Sequence, residues 1–320
     1  WSASSDSGLF EYRKNQLYAY TEKDGLVSDD IRHLYLDKDN HLWFASDGGG
    51  LGIFKHDSFS YLTKASGIVA PGYKALMEDH QKNIWIASDT GGLSIIKDDM
   101  LFSLTRDTGL LSNNITNMVE DTQGTVWIAT AAALSAYDGN TITHYTTKQG
   151  LSSASVTSVC IDKQQNIWAG TSKGITLFKG DEIQYYKEEN GFLNNTINDI
   201  ITDKAGDIWI GTNAGLAKFN GKTFVYYSEK EGVGANTINT LFVDTTGLLW
   251  IGTLGGGVST FDGTTFNTYT TTDGLSDNVI WAFQEDANHT LWATTEKGLT
   301  LFTPNPITCL LYTSDAADEI

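Results

Sequence analysis

The sequence predicts an all-β protein, a β-propeller of four-stranded antiparallel blades, and three observations carry that prediction. A unit of about 42 residues repeats along the chain. Each unit carries one tryptophan in a Leu/Ile-Trp-Ile-Gly/Ala-Thr/Ser strand, and each resolves into four short apolar-rich segments separated by turn residues. The tryptophans are Trp1, Trp43, Trp85, Trp127, Trp168, Trp209, Trp250 and Trp292, spaced 42, 42, 42, 41, 41, 41 and 42 residues apart. A period near 42 is the length of a propeller blade.

The unit around Trp209 shows the strands in order: TINDIITD, DIWIGT, GLAKFN and TFVYYS. They are parted by DKAGD, NAG and NGK, where Asp, Asn and Gly supply the backbone that tight hairpins need. Both faces of each small sheet carry apolar residues, so each blade needs a neighbour on either side, and radial stacking provides it with only short edges exposed. A helical solenoid is disfavoured because no window holds a 3.6-residue pattern and β-branched and aromatic residues dominate. Burying one tryptophan removes about 150 to 250 Å² from water, so the periodic tryptophans read as blade anchors and not as ligand contacts.

Six complete blades are expected, with a partial blade at each end; Trp1 sits on a second strand and the last unit stops after a third. The propeller is read as residues 1–303 and a linker as 304–308. The closing CLLYTSDAADEI, 309–320, reads as the translation of a sequencing adaptor and is set aside. Without Asp315, Asp318 and Glu319 the formal charge moves from −18 to −15, and Cys160 is the only remaining cysteine, a small core residue in VTSVCIDK. The first residue is Trp1, so the chain is read as a piece cut from a longer protein.

Units such as GLLSNNITNMVEDTQGTVWIAT, GLSSASVTSVCIDKQQNIWAGTSKGITLFKG and NTINTLFVDTTGLLWIGTLGGGVSTFDGTTFNTYT resemble the two-component regulator propeller repeats, which form extracytoplasmic sensor regions of hybrid histidine kinases. The resemblance covers residues 1 to about 303. The second full unit departs from it, with ASGIVAPGYKALMED in place of the GLSSN-type loop, as does the third, with Ala131-Ala132-Ala133 where others carry glycine. WD-repeat propellers share the period, but no Gly-His and closing Trp-Asp pair recurs. The resemblance implies a seven-bladed ring, with eight left open, and a periplasmic sensor that recognises a carbohydrate-derived ligand. It also implies a homodimer and a membrane-linked kinase in the same full-length chain.

Functional residues are expected where loops gather on one face, between blades and between second and third strands. One column there is filled by Thr116, Thr157, Asn198 and Asn239, and Arg32, Lys74 and Trp281 break it. Trp281 is the only tryptophan out of phase. It either stacks on a sugar ring or peptide or fills space between blades. The next column holds His33, Ala75, Asn117, Ser158, Asp199, Thr240 and Ala282; His33, Asn117 and Asp199 could bind a polar ligand or line a wet channel.

Asp37, Asp79, Asp121, Asp162, Asp203, Asp244 and Asp286 recur once per unit and are read as turn residues bonding backbone; Asp37-Lys38-Asp39-Asn40 lacks the bidentate acid of a calcium loop. No GxSxG, HExxH, P-loop or CxxC is present, and the histidines do not converge, so no catalytic residue, metal site or cofactor is expected. A lyase-like propeller with a metal and a channel histidine is the enzyme alternative, for which only His33 is placed, and an interaction scaffold is the other. The acidic balance disfavours nucleic acid as a partner and leaves a small ligand such as an oligosaccharide.

Overall fold

The computed structural model describes residues 2–4, 8–13, 16–39, 41–46, 50–55, 58–63, 67–68, 73–98, 100–285 and 289–302. Trp1, Asp286, the linker and the closing 309–320 stretch lie outside them. The described residues hold thirty strands in eight antiparallel sheets, each following chain order from edge to edge. The fold is therefore all-β, a β-propeller of four-stranded antiparallel blades, as the repeat predicts.

Two compact units divide the chain, Trp1–Thr146 and Thr147–Ile320. The first opens with a three-stranded sheet, β1 Ser2–Ser4, β2 Gly8–Arg13 and β3 Gln16–Tyr20. Blade 1 follows, with β4 Ile31–Leu36, β5 Leu42–Ser46, β6 Gly50–Lys55 and β7 Ser58–Leu62. Blade 2 is β8 Tyr73–Glu78, β9 Ile84–Ser88, β10 Leu93–Lys97 and β11 Met100–Leu104. Blade 3 is β12 Ile115–Glu120, β13 Val126–Thr130, β14 Leu134–Tyr137 and β15 Ile142–Tyr145.

The second unit begins with blade 4, β16 Val156–Ile161, β17 Ile167–Thr171, β18 Gly174–Lys179 and β19 Glu182–Tyr186. Blade 5 is β20 Ile197–Thr202, β21 Ile208–Thr212, β22 Gly215–Phe219 and β23 Phe224–Tyr227. Blade 6 is β24 Ile238–Val243, β25 Leu249–Thr253, β26 Val258–Phe261 and β27 Phe266–Tyr269. The chain then ends in β28 Ile280–Glu285, β29 Leu291–Thr295 and β30 Gly298–Phe302. By repeat register, β1–β3 are strand positions two to four and β28–β30 positions one to three. The described residues therefore form six four-stranded sheets with a three-stranded sheet at each end of the chain.

Within each unit the first strands of successive blades lie side by side, so each unit is a fan with those strands at its apex. Packing at the apex explains the small residue two places after each tryptophan. A Cβ on Gly170 would lie 2.6 Å from Ile197 Cγ2, and one on Gly211 or Gly252 would lie 2.8 Å from Ile238 or Ile280 Cγ2. The opening isoleucine of each next blade occupies the space a larger residue would take.

The core lies in the seams between blades. Trp168 packs with Phe219 of the next blade at 5.1 Å between ring centroids, Trp209 with Phe261 at 5.6 Å, Trp250 with Phe302 at 5.0 Å and Trp85 with Tyr137 at 5.9 Å. Tilted and edge-on pairs of this kind add to the area that each anchor buries.

Candidate functional site

The column broken by Arg32, Lys74 and Trp281 has a backbone cause. In every first strand the register slips by one residue, between Ile31 and His33, Tyr73 and Ala75, Ile115 and Asn117, and Val156 and Ser158. It slips again between Ile197 and Asp199, Ile238 and Thr240, and Ile280 and Ala282. The residue at the slip is Arg32, Lys74, Thr116, Thr157, Asn198, Asn239 or Trp281, so the column is a β-bulge that re-aims one side chain per blade.

Where the bulge residue is short and polar, it ties blades together. Thr157 Oγ1 donates to the Ile197 carbonyl at 2.7 Å, Asn198 Nδ2 to the Ile238 carbonyl at 2.7 Å and Asn239 Nδ2 to the Ile280 carbonyl at 2.8 Å. Asn198 Nδ2 also reaches Asn213 Oδ1, fifteen residues on in the loop after the second strand. Trp281 keeps only that second link: its Nε1 donates to Glu296 Oε2 at 3.0 Å, again fifteen residues on. The Trp281 residue is 51% exposed, and the neighbouring blade's counterpart of Glu296 is Leu254, itself 41% exposed. Beside Glu296, Lys297 forms an ion pair with Asp277 at 2.9 Å, which holds the Asp277 carboxyl below the usual carboxylate range.

The other expected site residues have separate surroundings. Lys74 is exposed and its ammonium reaches Asn114 Oδ1 at 3.4 Å. Asn117 is half-buried, and its side chain makes no hydrogen bond among the described residues. The side chains of Arg32 and His33 lie outside the described residues. Asp199 is half-buried and joins three blades, accepting from Ser158 Oγ at 3.1 Å, from its neighbour Ile200 N–H at 2.9 Å and from Leu241 N–H at 2.9 Å. Burial pushes its carboxyl above the ordinary carboxylate range despite those three donors. Among the described residues, no hydrogen bond joins any two of the six expected site residues. Glu296, the partner of Trp281, was not singled out in the sequence, although it shares its loop position with Asp47, Asp89, Ala131, Ser172, Asn213 and Leu254.

The recurring aspartates are turn residues, and they also do something the sequence reading missed. The six described ones each accept the indole N–H of the tryptophan six residues on: Asp37 from Trp43 at 2.9 Å, Asp79 from Trp85 at 2.9 Å and Asp121 from Trp127 at 3.0 Å. Asp162 accepts from Trp168 at 3.1 Å, Asp203 from Trp209 at 2.8 Å and Asp244 from Trp250 at 2.9 Å. The other oxygen takes the backbone N–H four residues on, as from His41 at 2.8 Å and Leu248 at 3.0 Å. At Asp37 and Asp244 burial raises the carboxyl, but these donors outweigh it and leave both below the usual range. The signal was the separation of six, constant even where the repeat alternates between 41 and 42.

The loops between blades are similarly occupied. A single 3₁₀ turn follows β3, β11, β15, β19, β23 and β27, and in several of them the first N–H is taken by the loop's Asx side chain: Arg106 N–H by Asn113 at 2.7 Å, Glu188 by Asn195 at 2.9 Å and Thr271 by Asn278 at 2.8 Å. Histidines have local partners: His41 Nδ1 with Asp37 at 3.0 Å, His144 with Ser135 and the Gly109 carbonyl at 2.9 Å each, and His289 with Glu285 at 3.1 Å. Cys160 is buried, which pushes its thiol up to about 12. Among the described residues no three His, Cys, Asp or Glu side chains gather closely enough to hold a metal.

Two clefts contain none of the expected site residues. One, ≈ 520 Å³, runs along the seam of blades 1 and 2 beside Trp43. The other, ≈ 670 Å³, lies by Tyr18, Tyr20, Phe54 and Phe59.

This arrangement, a bulged first strand followed by an Asp-Trp clamp in each of the six complete blades, defines a repeat-built propeller. Residues 25–48, 109–132, 150–173, 191–214 and 274–297 match the two-component regulator propeller, so the chain carries five repeats of that kind. The matched spans pass over residues 49–108, which hold the divergent entry loop of blade 2. No curated protein sequence matches the chain.

Among solved structures, the chain is similar to the extracellular domain of a protein assigned to the hybrid two-component systems of B. thetaiotaomicron, at 23% identity and a TM-score of 0.74. That match covers 86% of this chain and 39% of the other, so the chain spans about two fifths of that domain. PorZ, a bacterial surface component of the type-IX secretion system of Porphyromonas gingivalis, matches at 16% identity and a TM-score of 0.64 over 89% of this chain and 48% of its own. Virginiamycin B lyase of Staphylococcus aureus matches at 10% identity and a TM-score of 0.62 over 83% and 92%. At these identities the likeness is one of fold. Among the described residues no helix is long and apolar enough to cross a membrane.

Proposed function

We propose that the chain is the ligand-sensing propeller of an extracytoplasmic, periplasm-facing sensor. In this reading it recognises a carbohydrate-derived ligand on its loop face and passes the signal to a kinase in the same full-length protein, acting as a homodimer. The five matched two-component regulator propeller repeats support the sensor role, and the likeness to an extracellular domain of a hybrid two-component system supports the location.

One observation carries the placement of the ligand. Trp281 stands at a bulge where other blades use a short polar residue, is half exposed, and has its indole N–H fixed by Glu296. A ring held by its edge leaves its faces for the C–H face of a sugar, while the Glu296 carboxylate and the Lys297–Asp277 pair offer acceptors and a donor for hydroxyls. Arg32, Lys74, His33, Asn117 and Asp199 are proposed as secondary contacts around the first strands.

A glycan array followed by thermal-shift titration tests this reading with wild type and Trp281→Ala. A saccharide that raises the wild-type melting temperature and leaves the variant unmoved is the expected result. Equal stabilisation of both removes Trp281 from the site. The link to a kinase is tested by sequencing the rest of the reading frame, which is expected to encode a transmembrane helix and a histidine kinase.

A further inference from the structure

The seam between blades 1 and 2 lacks two aromatic rings that other seams possess. A third-strand ring meets the preceding blade's tryptophan at Tyr137, Phe219, Phe261 and Phe302, and the same repeat position holds Tyr12, Phe54 and Phe178 in the sequence, whereas blade 2 has an aliphatic residue there, Ile96. The fourth-strand position that packs on a blade's own tryptophan holds Tyr145 at 5.5 Å from Trp127, Tyr186 at 5.7 Å from Trp168 and Tyr227 at 5.9 Å from Trp209. Blade 1 has Leu62 there and blade 2 has Leu104. Trp43 therefore packs in a cluster with Leu62, Ile84, Ile96 and Leu101, aliphatic at both ring positions, and with Tyr35 of its own blade's first strand.

The ≈ 520 Å³ cleft opens at this place, within the range of small-molecule sites. Trp43, Ile53, Ile84 and Ile96 form its apolar floor, and its rim is polar. At the rim Asp39 and Lys82 pair at 2.9 Å, whereas the side chains of Lys55 and Asp98 have no partner among the described residues. Acids outnumber lysines in the lining, which disfavours an anion. An apolar floor with donors and acceptors of both signs above it suits a neutral ring bearing hydroxyls.

We propose that this cleft is a second ligand site, in which the ring of a neutral sugar takes the place of the aromatic side chain that Trp43 lacks. The ligand class rests on the sensor reading above; the location rests on the missing rings. The cleft belongs to the turns between first and second strands, at the opposite end of the blades from Trp281.

The test is calorimetric titration of the whole chain with glucose, galactose, xylose, arabinose and their disaccharides, using wild type, Ile96→Phe and Trp281→Ala. Ile96→Phe supplies the ring that the other seams have. It is expected to weaken binding of a sugar by about tenfold or more while leaving the melting temperature equal or higher, and Trp281→Ala is expected to keep that binding. A Lys55→Ala, Asp98→Ala variant changes only exposed rim groups and is expected to weaken binding also, which serves if Ile96→Phe does not fold. The proposal is overturned if no sugar of the panel binds wild type at this seam, or if the cleft variants bind as wild type does. Loss of binding in Trp281→Ala alone would overturn this site and leave the sensor reading standing.

Discussion

The Asp-Trp clamp makes a quantitative prediction at Asp162. Its Oδ2 accepts from Trp168 Nε1 at 3.1 Å and Asn166 Nδ2 at 2.8 Å, while Oδ1 accepts backbone N–H groups of Gln164 at 2.9 Å and Asn166 at 2.8 Å. In Asp162→Asn the single amide oxygen can serve the two backbone donors. The amide NH₂ then faces two further donors. Asn166 is half-buried and can turn to water, but Trp168 is 1% exposed, so its indole N–H is left without an acceptor. An orphaned buried donor costs about 1 to 3 kcal/mol, and the lost charge-assisted bond places the total near 2 to 3. At roughly 2.1 cal/mol/K per residue, a cooperative unfolding of this length converts that into a fall of about 3 to 5 °C in melting temperature. Melting by circular dichroism, with Trp168→Phe and the double variant, isolates the pair: once Trp168→Phe has removed the indole donor, Asp162→Asn should cost about 1 to 2 kcal/mol less. An Asp162→Asn protein that melts within a degree of wild type, or a cycle with no coupling, would refute the clamp.

Two carboxylates should titrate with opposite signs. Asp244 sits below its unfolded value, so its contribution is complete above about pH 4 and is lost as pH falls through the folded value; the advantage of wild type over Asp244→Asn should shrink on acidification. Asp199 sits above its unfolded value because burial disfavours its charge, so wild type should gain relative to Asp199→Asn as pH falls from about 7 toward about 4, and parallel pH profiles for the two variants would sink the assignment. Gly234→Ala should lower stability by about 1 to 3 kcal/mol, since its Cβ would lie 2.3 Å from the Gly256 carbonyl oxygen, a backbone atom that cannot rotate away. A denaturant midpoint equal to wild type would show that the two loops do not touch.

Most of the fold could be read from the sequence because a propeller writes its architecture as a period. The spacing of Trp43, Trp85 and Trp127 located the second strands, and Asp-Gly and Asn-Gly steps located hairpins such as Asp138-Gly139, where the Asp138 carboxylate takes the N–H of Asn140 at 2.8 Å and Thr141 at 2.7 Å. The column of Arg32, Lys74 and Trp281 was also visible, but its cause was not. Alternation in a strand has a period of two, and a bulge adds a residue without changing composition, so only hydrogen-bond register shows it. The Asp-Trp pairing was missed for a different reason: aspartate and tryptophan each had a sufficient explanation alone, one as a turn residue and the other as an anchor. The cleft beside Trp43 is lined by Ile96, a substitution that is conservative as an apolar residue and consequential only because it stands where a ring packs in other seams.

That contrast bears on where function can reside in such a chain. In an ordinary blade the repeat uses up its own chemistry: the carboxylate holds the indole, the loop Asx holds the 3₁₀ turn, the bulge amide holds the next strand, and the third-strand ring covers the preceding tryptophan. A ligand competing for any of those groups would have to break a bond that the fold needs. Binding without that cost is available only where a blade omits a partner. Trp281 is such a place, because its side chain bonds Glu296 and stays half exposed. The seam at Ile96 is another, because Trp43 receives aliphatic contacts where its counterparts receive rings. One omission is polar and lies at the loop end of a first strand; the other is apolar and lies at the turn end of a seam. Both suit the same kind of molecule, one with a ring to cover and hydroxyls to bond, so a propeller whose repeats are structural can still carry its specificity in the few positions that depart from them.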